Sequence, residues 1–206
     1  MSQINAVEAP IINSPYDAPA FHWHIEEGKH PEKRPGRRLA SYFFRVPDRA
    51  ARGRKAKGQQ SLLDDASKGQ EYLLDLANLI RQRLREWRER DYAGATKVTR
   101  ELLELWRSPD RSQRLFFAQL EAVETVLFLV EGPDDLKQGI NVPSDEPGDD
   151  AKAEGYKAFV RYALKMATGS GKTTVMGMLS AWSILNKVAQ PQAPAYSDTV
   201  LIVCPN

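Results

Sequence analysis

The chain has 206 residues, with 29 Lys+Arg against 27 Asp+Glu, and is 42% hydrophobic and 27% charged. This balance excludes a wholly disordered chain, and a net charge of +2 gives no overall pull toward a polyanion. No apolar run approaches the roughly 20 residues a membrane-spanning helix needs.

The start, MSQINAVEAPIINSPYDAP, lacks the basic opening and apolar centre of a signal peptide. The single cysteine, Cys204, excludes an internal disulfide and a multi-cysteine zinc site and suits a reducing cytoplasm. Residues 1–60 read as an irregular basic arm. Eleven Lys/Arg stand between Lys29 and Lys57 against Glu32 and Asp48, a local charge of +9, interrupted by Pro31, Pro35, Pro47, Gly36, Gly53 and Gly58. Such a segment is either a phosphate-contacting arm, with Arg37, Arg38, Arg52, Arg54 and Lys55 as candidate nucleic-acid contacts, or a solvated surface stretch. His22, His24 and His30 lie near its start, where a surface or packing role outweighs a metal site.

Residues 61–131 read as a helical extension. In Glu71–Tyr92 the residues Leu73, Leu76, Ile80, Leu84 and Trp87 recur at three- and four-residue steps, and Gly94 ends the pattern. Ala95–Arg107 carries Val98, Leu102, Leu105 and Trp106, and stops at Ser108-Pro109. Arg111–Glu131 is apolar enough to be buried on more than one side, and Gly132-Pro133 terminates it. The spacing of Trp87 and Trp106 favours core packing over base stacking.

Residues 132–155 hold seven carboxylates against Lys137 and Lys152, with three prolines and four glycines, and predict a long acidic loop. Pro133-Asp134 with Asp150-Ala151-Lys152 matches the letters of a metal-dependent nuclease. No strand holds the carboxylates rigid, so that reading is set aside.

The pattern then changes, and residues 156–206 read as an incomplete α/β unit. FVRYALKM, residues 159–166, alternates as a strand does and runs into Ala167-Thr168-Gly169-Ser170-Gly171-Lys172-Thr173-Thr174, followed by the apolar helix VMGMLSAWSILNKV. Strand, glycine-rich turn, Gly-Lys-Thr and helix form the context of a P-loop. Gly169 and Gly171 let successive N–H groups turn inward on a phosphate, and the helix adds the partial positive charge of its N-terminus. Lys172 supplies a mobile cation and the Thr173 hydroxyl a ligand for Mg²⁺. Met166 stands where the strict pattern has its first glycine. The run Thr199–Cys204 predicts a buried parallel strand, which completes one β-α-β unit.

MATGSGKTT followed by VLIVCPN resembles motifs I and Ia of superfamily 2 helicase-like ATPases. The likeness is greatest to the ATPase/translocase subunits of type III restriction enzymes, where a Met-Ala-Thr-Gly-x-Gly-Lys-Thr loop is usual. HWHIEEGKHPEKRPGRR and GYKAFVRYALKMATGSGKTTVMGMLSAWSILNKV likewise resemble large DEAD/DEAH-box restriction endonuclease-type proteins. The resemblance implies an α/β fold, the start of a recA-like helicase ATPase domain behind a mostly helical N-terminal extension. It implies ATP and Mg²⁺ on Thr168, Gly169, Ser170, Gly171, Lys172, Thr173 and Thr174, with Lys172 and Thr173 catalytic. Gln119, in RLFFAQLEAVETVLFL, then corresponds to the adenine-reading glutamine, with Phe116 or Phe117 against the base. The relatives carry Arg-Pro-Tyr-Gln where this chain has Phe116-Phe117-Ala118-Gln119, so an ordinary polar position on a helix stays open. Pro205 and Asn206 would begin the loop that touches the nucleic-acid backbone.

The implied activity is ATP-driven movement on double-stranded DNA, with a methyltransferase subunit as a further partner. No Asp-Glu-x-His-like box follows Thr174, and 206 residues hold no second nucleotide-clamping domain, so a truncated chain is expected. The alternative is a non-catalytic P-loop remnant that binds a nucleotide or a partner.

Overall fold

The computed structural model describes residues 9–26, 29–44 and 70–203. Arg52, Arg54, Lys55, Cys204, Pro205 and Asn206 lie outside the described residues. The early part is built from hairpin-like pairs. Strand β1, Phe21–His24, pairs antiparallel with β2, Glu32–Pro35, in the register Phe21↔Pro35 to His24↔Glu32. Asn13 clasps its start, with Oδ1 accepting the N–H groups of Ala20 and Phe21 at 2.9 and 3.0 Å. Strand β3, Ser41–Phe44, pairs with β4, Gln70–Leu73, and the rings of Tyr42 and Tyr72 stack across it at 5.2 Å.

Pairing with β3 explains the first departure from the sequence reading. Residues 71–74, predicted to open a helix, lie in or next to β4, and helix α1 runs only over Asp75–Glu89. Asn78 on α1 holds the adjoining strand by both amide atoms, donating to the Ala40 carbonyl and accepting its N–H. Helix α2, Lys97–Arg107, is capped by the Thr96 hydroxyl, which accepts the Thr99 N–H at 3.1 Å. Between the two helices Gly94 takes φ +85°, a left-handed conformation that favours glycine.

Helix α3, Phe117–Glu131, is the central element. It packs against α1, α2 and the later helix α5, Lys172–Ala189. Its predicted first turn, residues 111–116, is irregular, because the Phe117 N–H is taken by the Pro15 carbonyl at 2.9 Å. At its other end the chain folds so closely over Phe128 that a Cβ on Gly132 would lie 2.5 Å from that residue's carbonyl oxygen.

The core gathers Leu84 and Trp87 of α1, Leu103 and Trp106 of α2, Val123, Leu127 and Phe128 of α3, and Val175, Met178 and Trp182 of α5. Both tryptophans read as core are buried there. Truncating a fully buried aromatic such as Phe128 to alanine costs about 3–5 kcal/mol in cores of this kind. At the centre Glu124 is completely buried and fully bonded. Arg88 donates Nε and Nη2 to one carboxylate oxygen, while Arg107 and the Tyr92 hydroxyl donate to the other.

The acidic stretch after α3 is less featureless than predicted. It contains the two-residue strand β5, Ser144–Asp145, and the short helix α4, Asp149–Ala153. Strand β6, Phe159–Val160, pairs with β5, and this two-residue bridge is all that forms of the predicted strand 159–166. Residues 161–167 are irregular, and residues 199–203 form no strand either, with Leu201 at 87% exposure. The β-α-β unit is thus not assembled among the described residues. Apolar strands acquire their structure from ladder partners, and among the described residues none pairs with 161–167 or 199–203. Among the described residues no helix is long and apolar enough to cross a membrane.

Candidate functional site

The glycine-rich turn joins segment 161–167 to helix α5 and folds around a single carbonyl. The Ala167 oxygen accepts the Ser170 N–H at 3.3 Å, the Ser170 hydroxyl at 2.7 Å and Lys172 Nζ at 2.8 Å. Gly169 and Gly171 adopt φ of +77° and +83°, as the phosphate-cradling reading requires. Gly171 is the N-cap of α5 and offers no side chain to cap it. Among the described residues nothing accepts the N–H groups of Lys172, Thr173 and Thr174, all three of which are exposed. Three unfilled amides, a helix N-terminus and a lysine on a flexible stem together suit a polyphosphate.

Met166 is half-buried and packs against the core, so the position that departs from the strict pattern serves to anchor the loop. The turn itself begins at Ala167, and position 166 needs no glycine. Of the loop's side chains, the Thr173 hydroxyl suits Mg²⁺, an ion that usually takes few protein ligands and completes its shell with water and phosphate oxygens.

Gln119 reaches this loop from α3. It is buried, and a Cβ built on Gly171 would collide with its Nε2 and come within 3.1 Å of its Cδ. Its Oε1 accepts the Phe116 N–H at 2.8 Å and so caps α3 from inside the first turn. Phe116 has no side-chain oxygen to return that bond. The amide therefore already has a structural task at Oε1, with one lone pair of that oxygen and the Nε2 donors left. The Phe116 ring lies 5.6 Å from that of Tyr16, and Phe117 has the guanidiniums of Arg37 and Arg88 over its ring at 5.6 and 5.8 Å. Both aromatics proposed to flank a base are thus engaged within the fold.

The basic candidates separate in the same way. Arg37 is bidentate to Glu121 of α3, at 2.6 Å on each oxygen, and half-buried. Arg38 pairs with Glu71 at 2.9 Å on the exposed surface, where Ser41 also donates to that carboxylate and holds its pKa low. Of the histidines, His22 Nδ1 meets the Gly36 carbonyl at 2.8 Å and His24 Nε2 the Glu26 carboxylate at 2.7 Å. Among the described residues no group of three or more His, Cys, Asp or Glu could hold a metal ion.

A cleft of about 730 Å³ opens beside the loop. Its walls are Leu76 and Ile80 of α1, Ala122 and Val126 of α3, and Tyr162 and Leu164, and it reaches Ala167 and Ser170. Arg37, Arg81 and Glu121 also line it. The sequence reading missed Arg81. Its signal was a position four residues after Ala77 and three before Leu84, at the edge of the apolar stripe of α1.

The chain matches no protein-family model, no curated protein and no solved structure.

The loop is held to the helical region by a polar network behind it. Glu131 at the end of α3 accepts from the Thr96 N–H, the Thr99 hydroxyl, Trp182 Nε1 and the Tyr196 hydroxyl at 2.7–3.0 Å. Asn186, fully buried on α5, accepts the Thr96 hydroxyl at 2.6 Å and donates to Thr99. Helices α2 and α3 thereby fix the direction of α5, and with it the amides at its start.

Proposed function

We propose that this chain binds MgATP on residues 168–174 and is the ATP-binding portion of a helicase-like DNA translocase of the restriction-enzyme kind. In this reading Gly169, Ser170 and Gly171 wrap the phosphates, Lys172 neutralises their charge, and Thr173 ligates Mg²⁺. The observation that carries it is the loop itself: two left-handed glycines lead into a helix whose first amides have no protein acceptor. Lys172 leaves the Ala167 carbonyl and takes a phosphate oxygen when the nucleotide binds.

ATP hydrolysis and movement on double-stranded DNA belong to the proposal through the resemblance of MATGSGKTT. A contact with a modification methyltransferase rests on that same likeness. Arg37 is half-buried in its pair with Glu121, so DNA contact falls to Arg38, whose pair with Glu71 is exposed, and to the arm residues Arg52, Arg54 and Lys55. Gln119 caps α3 first, and would meet adenine through the remaining Oε1 lone pair and the Nε2 donors.

The test is calorimetric titration of the chain with MgATP, repeated on Lys172→Ala. Binding that weakens at least tenfold in the variant supports the reading, and equal affinity removes it. ATP turnover, measured with and without double-stranded DNA, separates a hydrolase from a nucleotide-binding remnant.

A further inference from the structure

We propose that Arg81 is a second phosphate-contacting cation of this site, reaching from the helical region to the terminal phosphate of a nucleotide held by the loop. The inference rests on reading residues 168–174 as a nucleotide site and adds a residue from a different part of the fold.

Three observations place Arg81 there. It lines the same cleft as Ala167 and Ser170. Gly171 adjoins Gln119, on the first turn of α3. Glu121, two residues further on, binds Arg37, and the Arg81 guanidinium interacts electrostatically with both members of that pair. Glu121 faces the cleft together with Arg81, and that cleft runs to Ala167 and Ser170 of the phosphate loop.

The charges that act on Arg81, those of Arg37 and Glu121, leave it uncompensated. Glu121 compensates one guanidinium, and it takes Arg37 with both oxygens. Arg81 is half-buried and makes no hydrogen bond or ion pair among the described residues. Burial, and then the charge of Arg37, hold its pKa below the usual arginine value. A partly desolvated guanidinium without a carboxylate of its own is costly, and an arriving oxyanion relieves that cost. The planar fork of arginine matches phosphate oxygens two at a time. The adjacent loop presents unfilled N–H groups, so the anion that fits both is a polyphosphate rather than a lone carboxylate.

A terminal-phosphate contact must alter the preference for ATP over ADP, which a merely structural arginine would not. MgATP and MgADP are titrated calorimetrically into the intact chain, its Arg81→Gln and Arg81→Lys forms, and Lys172→Ala. In Arg81→Gln, MgATP affinity falls roughly tenfold or more, the usual effect of losing a charge-assisted hydrogen bond, while MgADP changes less than threefold. Arg81→Lys lies between, and it supplies the same comparison if the Gln variant does not fold. Equal losses for both nucleotides overturn the proposal, as does unchanged MgATP affinity in Arg81→Gln where Lys172→Ala has lost it. Unchanged affinity in Lys172→Ala overturns instead the reading of the loop, and an intact chain that binds neither nucleotide overturns both.

Discussion

Gln119 joins the starts of two helices: it caps α3 through Oε1 and lies against Gly171, the N-cap of α5, through Nε2. Gly169 and Gly171 share a left-handed backbone, but a Cβ on Gly169 meets open space. Gly169→Ala is expected to cost only the conformational strain, about 1–2 kcal/mol. Gly171→Ala adds a collision with Gln119 and is expected to cost about 3 kcal/mol or more. Chemical unfolding of both variants measures the difference, and adding Gln119→Ala to Gly171→Ala should recover most of the excess. No recovery would show that the contact carries no strain.

Glu124 is the next test of how the helices are held. Its carboxylate is wholly buried between Arg88, Arg107 and Tyr92. Glu124→Ala leaves two guanidiniums facing a void and is expected to destabilise by about 3–5 kcal/mol. Breaking the exposed Arg38–Glu71 pair by Arg38→Ala is expected to cost less than about 1 kcal/mol. Urea midpoints of the two variants, at equal slope, give the comparison directly. Similar midpoints would remove Glu124 as the central electrostatic anchor.

What the sequence made legible was local, and what it concealed depends on distant partners. The spacing of Leu84 and Trp87 and of Leu102 and Trp106 marked the core faces of α1 and α2, and Gly132 marked the end of α3. Helix α1, by contrast, stops at Glu89, short of the Tyr92 expected before Gly94. The loop 167–174 was legible because its backbone demands fall on two glycines and a helix start. Residues 71–73 read as helix because their apolar period continues into α1, and only pairing with residues 41–43 makes them a strand. Arg37 read as a free arm residue because Glu121 lies 84 positions away. Segments 159–166 and 199–203 carry strand patterns, but a strand is a property of a ladder. Beyond the short pairing of Phe159–Val160 with Ser144–Asp145, neither has a neighbour among the described residues, and the alternation leaves them largely exposed.

The network behind the loop predicts a coupled loss. Asn186 is buried and bonded to Thr96, Thr99 and the Trp182 carbonyl. Asn186→Leu removes those bonds and takes one partner from each of the Thr96 and Thr99 hydroxyls, at an expected cost of about 2–3 kcal/mol. Because the same bonds hold α5 against α2, MgATP affinity should fall with stability. Val188→Ala, on the exposed side of α5, should change neither. An Asn186→Leu chain that stays as stable as the unaltered one would show that the network is incidental.

Alkaline stability follows from the phenols. The Tyr92 pKa is pushed up from 10.0 to about 12, first by burial and then by the Glu124 charge, while its hydroxyl donates to that carboxylate. Tyr196 is raised for the same two reasons, with Glu131 as its acceptor. In each case the fold favours the neutral phenol over the phenolate. The stabilisation is therefore complete below pH 10, where the unfolded phenol titrates, and is lost as the pH climbs through 12. For Tyr92 the amount is on the order of 1 kcal/mol once solvent screening of a half-buried group is allowed for. Unfolding free energies at pH 8, 10 and 11.5 should show the unaltered chain more stable than Tyr92→Phe at pH 8, with the gap narrowing as pH rises. A gap that widens with pH would reverse the sign and place a phenolate in the folded state.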